Sequence, residues 1–566
     1  MTSHAHVNQP ARTGGQVLVD QLRAHGVDTV HGVPGESYLA VLDALYDAPV
    51  RMVVCRHEGG AGYMAEAYGK LTGRPGVCLT TRGPGATNAL VSLHTAHQDA
   101  TPLVLFVGLV PRGHTDRHSF QEFDLRGTFG AHAKLVETID DAARVPEYVA
   151  RAFAVASSGR PGPVVLGLPE DMLTDVVEVA DARPLPIPAG GVTPDELAAF
   201  ERLLGAAERP LLLLGGSRWT DRARADIRAW AEAWSLPVAV DFRCQDLMDN
   251  EAEVYVGNLG YGRAKALAER VRDADLLVSV GAAPGDVSTD GFRALPTVGD
   301  DRAEGPQLVQ VLPEAQPPGV VHRAELTLVA APEAFSAAIR GVSPGGPVPW
   351  AERTKRDRAA YLAWHTPEPE GDPLDLGAVF AHLDTRLPQD SIITFGAGNH
   401  AIWAQRFLTY RDGMRQLGPR NGSMGYGIPA AVSAALTHPD RRVVSVAGDG
   451  CFLMNGQELA TAVAEGAAPL ILVLDNAQYG TIRVHQEREY PGRVSGTALG
   501  NPDFAAYAHA FGAHGETVTT TEEFAPALDR ALASGRAAII QLKVAEGRLS
   551  PGVTVASLRE RGRGRA

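Results

Sequence analysis

The sequence predicts an α/β protein built from three doubly wound parallel-sheet domains. Short apolar runs rich in β-branched residues alternate with stretches of helical periodicity through most of the 566 residues. Segments rich in Pro and Gly interrupt this alternation twice, before the second block and before the third. The expected units are an amino-terminal domain at residues 1–183, a central Rossmann-like domain at 190–345, a carboxy-terminal domain at 368–545 and a tail at 546–566.

The first two blocks supply the strand and helix patterns that support this fold class. In the amino-terminal block, helices are expected at residues 16–25, 38–46, 58–71 and 86–97, and strands at 29–33, 52–55, 77–81 and 103–107. In the central block, strands are expected at residues 210–214, 236–240, 276–280 and 308–312. Strands separated by helical stretches are typical of parallel sheets covered by helices on both faces.

The third block contains the most informative stretch, residues 443–479. A buried strand is expected at 442–447, and it ends at Gly448-Asp449-Gly450. A helical pattern at 455–466 leads to a second apolar run at 469–474, which ends at Asp475-Asn476. Because neighbouring parallel strands end at the same edge of a sheet, the two polar motifs are expected to lie close together.

That geometry suits a metal diphosphate. The carboxylate of Asp449, the amide oxygen of Asn476 and a backbone carbonyl near Gln478 are the oxygen ligands that Mg²⁺ prefers, and phosphates complete its shell. The N–H groups of Gly450 and Cys451, at the start of the helix, can point at an anion. An Asp-Gly turn alone is more often a simple tight turn, so the pairing of the two strand ends carries the interpretation.

The composition bounds the class of protein. Hydrophobic residues make up 45% and charged residues 21%, as in ordinary globular proteins. A net charge of -14 argues against a nucleic-acid partner. The four cysteines show neither metal-type spacing nor a disulfide framework, which favours a cytoplasmic location. We expect no signal peptide and no membrane association, because the amino-terminal segment and the rest of the chain lack long apolar runs.

The motif around Asp449 and Asn476 resembles the diphosphate–metal motif of thiamine diphosphate (ThDP) enzymes. The whole chain resembles the ThDP-dependent decarboxylase and carboligase superfamily, and most closely its acetolactate synthase (large subunit) group. The second half of the family motif is usually Asn-Asn, and Asp475 stands here in place of the first Asn. The resemblance implies ThDP and Mg²⁺ as cofactors, with Asp449, Asn476 and Gln478 as the metal-binding positions.

A second motif, Arg56-His57-Glu58-Gly59-Gly60-Ala61, begins at a strand end and runs into a helix. A Glu in the first turn of a helix is by default a capping residue. The segment resembles the stretch in acetolactate synthases whose Glu holds N1′ of ThDP and promotes the imino tautomer, which is general acid–base work. Because Asp449 belongs to another domain, the resemblance implies that Glu58 of one chain meets the diphosphate held by a second. We therefore expect at least a homodimer, and by analogy a homotetramer.

Further positions match cofactor and substrate motifs of the group. The resemblance implies ThDP contacts at Pro34, Gly35, Pro84, Asn88, Gly398, Asn399, His400, Gly422, Met424, Gly448, Asp449, Gly450, Cys451, Asn476, Tyr479 and Gly480. Met424 matches the apolar residue that wedges under the bent cofactor, although a Met is by default core packing. Gln121 matches a Gln that faces the reacting centre in acetolactate synthases.

The segment after the metal motif departs from the group pattern. His485 stands where acetolactate synthases carry a Trp that contacts the second 2-oxo acid. Together with Arg483 and Glu487, it is expected to line the entrance and contact substrate. The central domain lacks both FAD-binding segments of the group, so we expect no FAD.

Two further residues are candidate catalytic groups. Glu36 takes the place of a Gly and matches the Asp in the GVPGD loop of pyruvate and indolepyruvate decarboxylases, where it acts as an acid. The alternative for Glu36 is an exposed loop residue. His97 is the second candidate, and a packed or surface histidine is its alternative.

These patterns favour a ThDP- and Mg²⁺-dependent enzyme that decarboxylates a 2-oxo acid and transfers the resulting enamine to a second carbonyl. The alternative is a simple non-oxidative decarboxylase that releases an aldehyde. Gln121 favours the first outcome and Glu36 the second. An inactive ThDP-binding subunit is opposed by the intact Glu58, Asp449 and Asn476. A nicotinamide dehydrogenase is opposed by the lack of a strand followed by GxGxxG.

Overall fold

A computed structural model of the chain describes residues 10–299, 305–315 and 321–563. Residues 1–9, part of the amino-terminal segment in which no signal peptide is expected, lie outside the described residues. The last three residues of the expected tail, 564–566, do so as well. The chain divides into two compact units, residues 1–188 with 432–437, and residues 189–431 with 438–566. The first unit contains one large sheet and the second contains two.

The amino-terminal unit alternates strands and helices as the sequence predicts. Its strands are β1 (Arg12–Thr13), β2 (Thr29–Gly32), β3 (Arg51–Val54), β4 (Gly76–Thr80), β5 (Leu103–Leu109), β6 (Leu135–Thr138), β7 (Pro163–Pro169) and β8 (Val176–Val177). Its helices are α1 (Gly14–Ala24), α2 (Leu39–Tyr46), α3 (Glu58–Thr72), α4 (Pro84–Asp99), α5 (Leu125–Phe129) and α6 (Val145–Ser157). Six strands form a parallel sheet in the order β3-β2-β4-β5-β7-β6.

The central sheet also has six parallel strands. They are β9 (Pro210–Leu214), β10 (Val238–Val240), β11 (Tyr255–Asn258), β12 (Leu276–Val280), β13 (Gln307–Leu312) and β14 (Leu326–Val329), in the order β11-β10-β9-β12-β13-β14. The helices of this part are α7 (Pro194–Ala206), α8 (Asp221–Ala233), α9 (Lys265–Arg272), α10 (Pro332–Ile339) and α11 (Ala351–His365).

The carboxy-terminal sheet repeats the strand order of the amino-terminal one. Its strands are β15 (Ile392–Phe395), β16 (Arg415–Leu417), β17 (Val443–Gly448), β18 (Leu470–Asp475), β19 (His514–Val518) and β20 (Ala538–Lys543), followed by the short β21 (Arg548–Ser550) and β22 (Val553–Thr554). The order β16-β15-β17-β18-β20-β19 is parallel throughout. The helices are α12 (Leu376–Arg386), α13 (His400–Phe407), α14 (Gly427–Thr437), α15 (Asp449–Phe452), α16 (Leu459–Glu465), α17 (Gly480–Glu489), α18 (Phe504–Ala510), α19 (Thr521–Ala533) and α20 (Val555–Arg563).

Burial explains why these segments become strands. Every residue of β7, β9, β12 and β18 is buried, as expected for parallel strands covered by helices on both faces. The register of β17 with β18 pairs Gly448 with Leu474, so both strands end at the same sheet edge. That edge carries Asp449 and Asn476. The predicted α/β fold with three parallel sheets is confirmed, whereas the residue limits of the domains stay a prediction.

Two local expectations differ from the structure. The predicted helix at 455–466 is shorter, because a 3₁₀ turn at Gly456–Glu458 precedes α16. The expected tail at residues 546–566 is folded in its described part, since β21, β22 and α20 are formed and α20 packs on α17. Among the described residues, no helix is both long and apolar enough to cross a membrane.

Candidate active site

A cavity of about 240 Å³ lies at the carboxyl edge of the third sheet. The loops after β15, β17 and β18 surround it, which is where parallel sheets bind ligands. Thirteen of the predicted cofactor or metal residues line it, namely Gly398, Asn399, His400, Gly422, Met424, Gly448, Asp449, Gly450, Cys451, Asn476, Gln478, Tyr479 and Gly480. The structure therefore brings the carboxy-terminal candidates together in one place.

Asp449 is a buried carboxylate at this edge, with 3% of its surface exposed. Its Oδ1 accepts a hydrogen bond from the N–H of Gly450 and its Oδ2 accepts one from Nδ2 of Asn501, both at 2.8 Å. Burial, followed by the nearby Asp475, raises the pKa of Asp449. Within the described residues, no Lys or Arg forms an ion pair with Asp449. A buried carboxylate in this situation fits a bound cation.

Asp475 lies beside Asp449 and is held by different partners. It accepts hydrogen bonds from Lys543 at 2.6 Å, from Gln541 at 2.7 Å and from Asn501 at 2.7 Å. Burial opposes ionisation, but Lys543 and the two amides together hold the pKa of Asp475 below its ordinary value. Asn501 thus bridges the carboxylates of Asp449 and Asp475. The ammonium group of Lys543 neutralises the charge of Asp475 alone.

Two nitrogens at the cavity fit an anion. Within the described part of the chain, Nδ2 of Asn399 and Nε2 of His400 are buried without a hydrogen-bond partner. Buried polar groups are normally paired, so a ligand oxygen suits them. Oδ1 of Asn399 accepts a hydrogen bond from Thr481 at 2.9 Å, which orients its amide. Burial, then the charge of Arg243, lowers the pKa of His400 to about 3, so this ring is neutral at pH 7.

The remaining metal candidates lie nearby. Nδ2 of Asn476 donates to the carbonyl of Arg548 at 3.4 Å, and Nε2 of Gln478 donates to the carbonyl of Glu546 at 2.6 Å. The side-chain amide of Gln478 is therefore engaged, and its backbone carbonyl is the oxygen to consider for a metal. The N–H of Gly450 donates to Oδ1 of Asp449 in the same turn, and a contact of this N–H with a bound anion stays a prediction.

In the amino-terminal unit, Glu58 begins α3 at the end of β3, as the sequence predicts. Its Oε2 accepts a hydrogen bond from Nδ2 of Asn88 on α4 at 2.9 Å. A Cβ at position 85 would lie 3.0 Å from Oε1 of Glu58, so Gly85 allows the start of α4 to approach the carboxylate. His57 caps α3 through Nδ1, which accepts the Gly59 N–H at 3.0 Å. The helix cap is thus His57, and the carboxylate of Glu58 faces α4.

Glu36 and Gln121 are brought to the same loop cluster by Arg82. The guanidinium of Arg82 lies 3.5 Å from Glu36 and 2.9 Å from Glu170, and its Nε donates to the carbonyl of Phe120. Gln121 adopts a left-handed backbone with φ 62°, a conformation that often marks functional loops. The loop with Pro34 and Gly35 joins this cluster through a 2.8 Å contact between the hydroxyls of Ser37 and Thr81, and Pro84 begins α4 beside it.

His97 is the predicted catalytic residue that the structure does not bring to this cluster. It lies near the end of α4, roughly 13 Å along the helix from Asn88 at 1.5 Å per residue. Burial and the guanidinium of Arg160, with His132 nearby, lower its pKa. The alternative reading of a packed histidine fits this position.

Arg483 and Glu487 also differ from expectation, because they form an ion pair instead of lining the entrance. Glu487 is fully buried and lies 2.8 Å from Arg483 and 2.8 Å from Arg559 of α20. We call this group of three the Glu487 latch. The cavity wall at α17 is made by Thr481 and Ile482. His485 is exposed and its Nδ1 contacts Arg488.

The Glu487 latch gives a testable pH dependence. Hydrogen bonding to Arg559, with smaller contributions from Gly492 and Arg483, lowers the pKa of Glu487 to about 2. Because the folded pKa lies below the ordinary 4.5, the latch contributes its full stability above pH 4.5 and loses it as the pH falls towards 2. We expect hydrogen-exchange protection of α20 to stay constant from neutral pH to about 5 and to fall below that.

The variant Arg559→Met tests the same latch at neutral pH. A hydrogen bond between two charged groups is one of the stronger kinds, but solvent screens this one because Arg559 is 37% exposed. Protection of α20 is therefore expected to fall severalfold. Equal protection in the variant and the wild type would remove the latch from this account.

Comparisons with known proteins agree with this geometry. Residues 12–127 match the thiamine pyrophosphate enzyme N-terminal TPP binding domain, residues 197–339 the central domain, and residues 396–542 the C-terminal TPP binding domain. The chain therefore belongs to the thiamine pyrophosphate enzymes, and it is a thiamine-diphosphate-dependent enzyme.

Within that family, the chain is similar to acetolactate synthase large subunits. It is 33% identical over 556 residues to the acetolactate synthase isozyme 2 large subunit of Escherichia coli (strain K12), covering 94% of this chain and 96% of that one. It is 33% identical over 563 residues to the large subunit of Parasynechococcus marenigrum, covering 94% and 88%. It is 32% identical over 540 residues to that of Corynebacterium glutamicum, covering 92% and 84%. The predicted family resemblance is confirmed.

Sequence reasoning missed several residues at the site. Asn501 bridges Asp449 and Asp475 from a loop before α18, and no local pattern marks it. Leu549, in the segment taken as a tail, lines the cavity and is 2% exposed. Arg548 beside it pairs with Asp372 at 2.7 Å and with Glu370 at 3.0 Å. The segment Arg548–Ser550 forms β21, but its residue types are not those enriched in strands, so the sequence contains little signal for it.

Proposed function

We propose that this enzyme uses ThDP and Mg²⁺ to decarboxylate a 2-oxo acid and to join the product to a second carbonyl compound, as acetolactate-synthase-like carboligases do. The observation that carries the proposal is the buried Asp449 carboxylate in one cavity with the unpartnered nitrogens of Asn399 and His400. A cation-binding group next to anion-binding groups is the arrangement that binds a diphosphate together with Mg²⁺.

The proposed roles at this cavity follow from the donor atoms. Asp449, the amide oxygen of Asn476 and the backbone carbonyl of Gln478 would hold Mg²⁺. Asn399 and His400 would face the phosphate oxygens. Met424, half-buried at the cavity wall, would support the cofactor from below. Asn501 would hold the carboxylate of Asp449 in a metal-binding orientation, because groups that hydrogen-bond a metal ligand fix the direction in which it faces the metal.

Glu58 is proposed as the group that holds a proton at N1′ of the pyrimidine. Asn88 fixes its carboxylate by a 2.9 Å hydrogen bond, which limits the orientations that the acid can adopt. We propose that two chains pair to form each site, with Glu58 supplied by one chain and Asp449 by the other, and that a tetramer is the working form.

ThDP, when bound, supplies a carbon nucleophile for the ketone and an electron sink for the decarboxylation. The protein must then decide between protonation and carbon–carbon bond formation. We propose that Gln121 orients the second carbonyl compound, which favours ligation. The low content of acidic groups at the cavity wall of α17, formed by Thr481 and Ile482, is compatible with a 2-oxo acid acceptor.

A simple decarboxylase is the second candidate function. It is favoured by Glu36, whose side chain is 64% exposed and lies in the same loop cluster as Gln121. A carboxyl group there can protonate the product of decarboxylation and release an aldehyde.

Product analysis separates the two functions. The purified enzyme, supplied with ThDP and Mg²⁺, is incubated with pyruvate and with other 2-oxo acids, and aldehyde, acyloin and acetohydroxy acid are quantified. We expect ligation products to exceed aldehyde, and Glu36→Gln to leave the ligation rate within about threefold of wild type, as for a group outside the ligation step. The exposed Glu147→Gln on α6 is the matched control. Aldehyde as the sole product would replace the carboligase with the decarboxylase.

We further propose that the enzyme works without FAD and acts in the cytoplasm. The strand order of the central sheet reverses between β9 and β12, which is the point where open sheets of this kind bind nucleotides. At that point the half-buried Trp219 donates its indole N–H to the carbonyl of Gly215 at 2.8 Å. An indole at the strand end leaves less room for a flavin dinucleotide, which supports the proposal drawn from the missing FAD segments.

A further inference from the structure

Arg243 is a buried cation of the central domain that faces the loop of the ThDP site. It follows β10, and 8% of its surface is exposed. Its backbone is left-handed, with φ 66°, which is costly for a residue with a side chain and persists where surrounding contacts hold it. A buried charge in a strained backbone position indicates a specific task.

Two of its contacts lie at the start of one loop, at Phe395 and Gly396. The guanidinium carbon lies 4.7 Å from the ring centre of Phe242 and 4.4 Å from that of Phe395, so it is stacked between two aromatic faces. Nη2 of Arg243 donates to the carbonyl of Gly396 at 3.0 Å. A Cβ at position 418 would lie 3.1 Å from Cδ of Arg243 and 2.5 Å from Phe395, so Gly418 leaves the space that this stacking needs.

Gly396 starts the loop whose next residues, Ala397 to His400, line the cavity. The carbonyl that Arg243 holds therefore belongs to the segment that presents Asn399 and His400 to a phosphate. The charge of Arg243 also reaches the cavity, because it adds to burial in lowering the pKa of His400. A positive charge attracts an anion more strongly in the protein interior than it does in bulk solution, because the effective dielectric constant is lower there.

We propose that Arg243 is a positioning residue for the diphosphate, which fixes the Gly396 loop from the central domain and supplies positive charge beneath it. The proposal rests on the diphosphate site proposed above. The central domain would then take part in cofactor binding, because its Arg243 holds a loop of the carboxy-terminal domain. Both domains belong to the second compact unit. The ligand class is an organic or inorganic diphosphate bound with Mg²⁺.

The test measures affinity. Dissociation constants for ThDP and for magnesium pyrophosphate are obtained by titration calorimetry of the apoenzyme at saturating Mg²⁺, for wild type, Arg243→Met and Arg243→Lys. We expect Arg243→Met to weaken the binding of both ligands by about 10- to 100-fold, the range found for residues that orient a binding group without touching the ligand. Arg243→Lys keeps the charge but loses the planar stacking and is expected to recover part of that affinity.

Arg358→Met is the matched control. Arg358 is equally buried, at 8% exposure. It stacks on Tyr361 at 5.1 Å and donates to the carbonyls of Asn250 and Tyr255, and these described contacts do not include the Gly396 loop. We expect its affinity for both ligands to equal that of wild type. Circular dichroism of each variant identifies the folded fraction used in the titration.

The outcomes separate this inference from the proposed function. A wild type that binds neither ligand would overturn the diphosphate site itself. A wild type that binds, with Arg243→Met or Arg243→Lys at the same affinity, would overturn the role of Arg243. Equal weakening in Arg243→Met and Arg358→Met would assign the effect to general packing and would overturn it as well. If Arg243→Met does not fold, the comparison of Arg243→Lys with wild type decides.

Discussion

Glu58→Gln is expected to lower kcat by about a hundredfold to ten-thousandfold, the range for a positioned general acid–base group. The substitution keeps the size of the side chain and its ability to accept the hydrogen bond from Asn88, so the loop geometry is preserved. What is lost is the acidic proton that we propose the carboxyl group shares with the pyrimidine. Steady-state kinetics with saturating ThDP measure the effect, and ThDP affinity is expected to change much less than kcat.

Glu147→Gln provides the control for this prediction. Glu147 is 55% exposed and pairs with Arg144 on the surface of the same unit, so its replacement is expected to leave kcat unchanged. The kcat of Asn88→Ala is expected to lie between those of Glu58→Gln and Glu147→Gln, because the Glu58 carboxylate remains but its orientation is less restricted. If Glu58→Gln has full activity, the assignment of the acid–base role is wrong.

Asp449→Asn is expected to weaken Mg²⁺-dependent ThDP binding by at least about 100-fold, the upper end of the loss found for outer-shell partners. Asp449 is the one carboxylate among the three proposed metal-binding positions, and the amide removes its negative charge. The same change leaves Asp475 and its ion pair with Lys543 in place, so the sheet edge keeps its other contacts. Titration of ThDP at several Mg²⁺ concentrations measures the effect.

Asp529→Asn is a suitable control. Asp529 lies on α19, is 57% exposed and pairs with Arg386 of α12. Asn501→Ala is expected to weaken metal-dependent binding by about tenfold, because it removes the amide that orients Asp449. Wild-type Mg²⁺ dependence in Asp449→Asn would show that the metal is held elsewhere.

The strands were predictable because their signal is local. The runs at Pro210–Leu214 and Leu276–Val280 are continuously apolar, and the structure makes them β9 and β12 with the same limits. The polar residues Asp449 and Asn476 stand directly after such runs, so their meeting at one edge follows from parallel pairing. The same reasoning found Glu58 at the end of β3.

What the sequence did not predict depends on distant partners. Nothing near Glu487 in the chain indicates that Arg559 binds it, and so Glu487 and Arg483 were assigned to the substrate entrance. Asn501 gains its position from a loop that crosses back to β17 and β18. The field that Arg243 adds at His400 likewise requires the packing of two sheets within the second unit. Helical spacing and strand periodicity contain no information on such contacts.

The most direct measurement is a crystal structure of the protein with ThDP, Mg²⁺ and a 2-oxo acid bound. The account predicts the metal on Asp449, Asn476 and the carbonyl of Gln478, the diphosphate beside Asn399 and His400, and Glu58 from a second chain against the pyrimidine. A cofactor bound away from the cavity at β17, or a pyrimidine without Glu58, would contradict it.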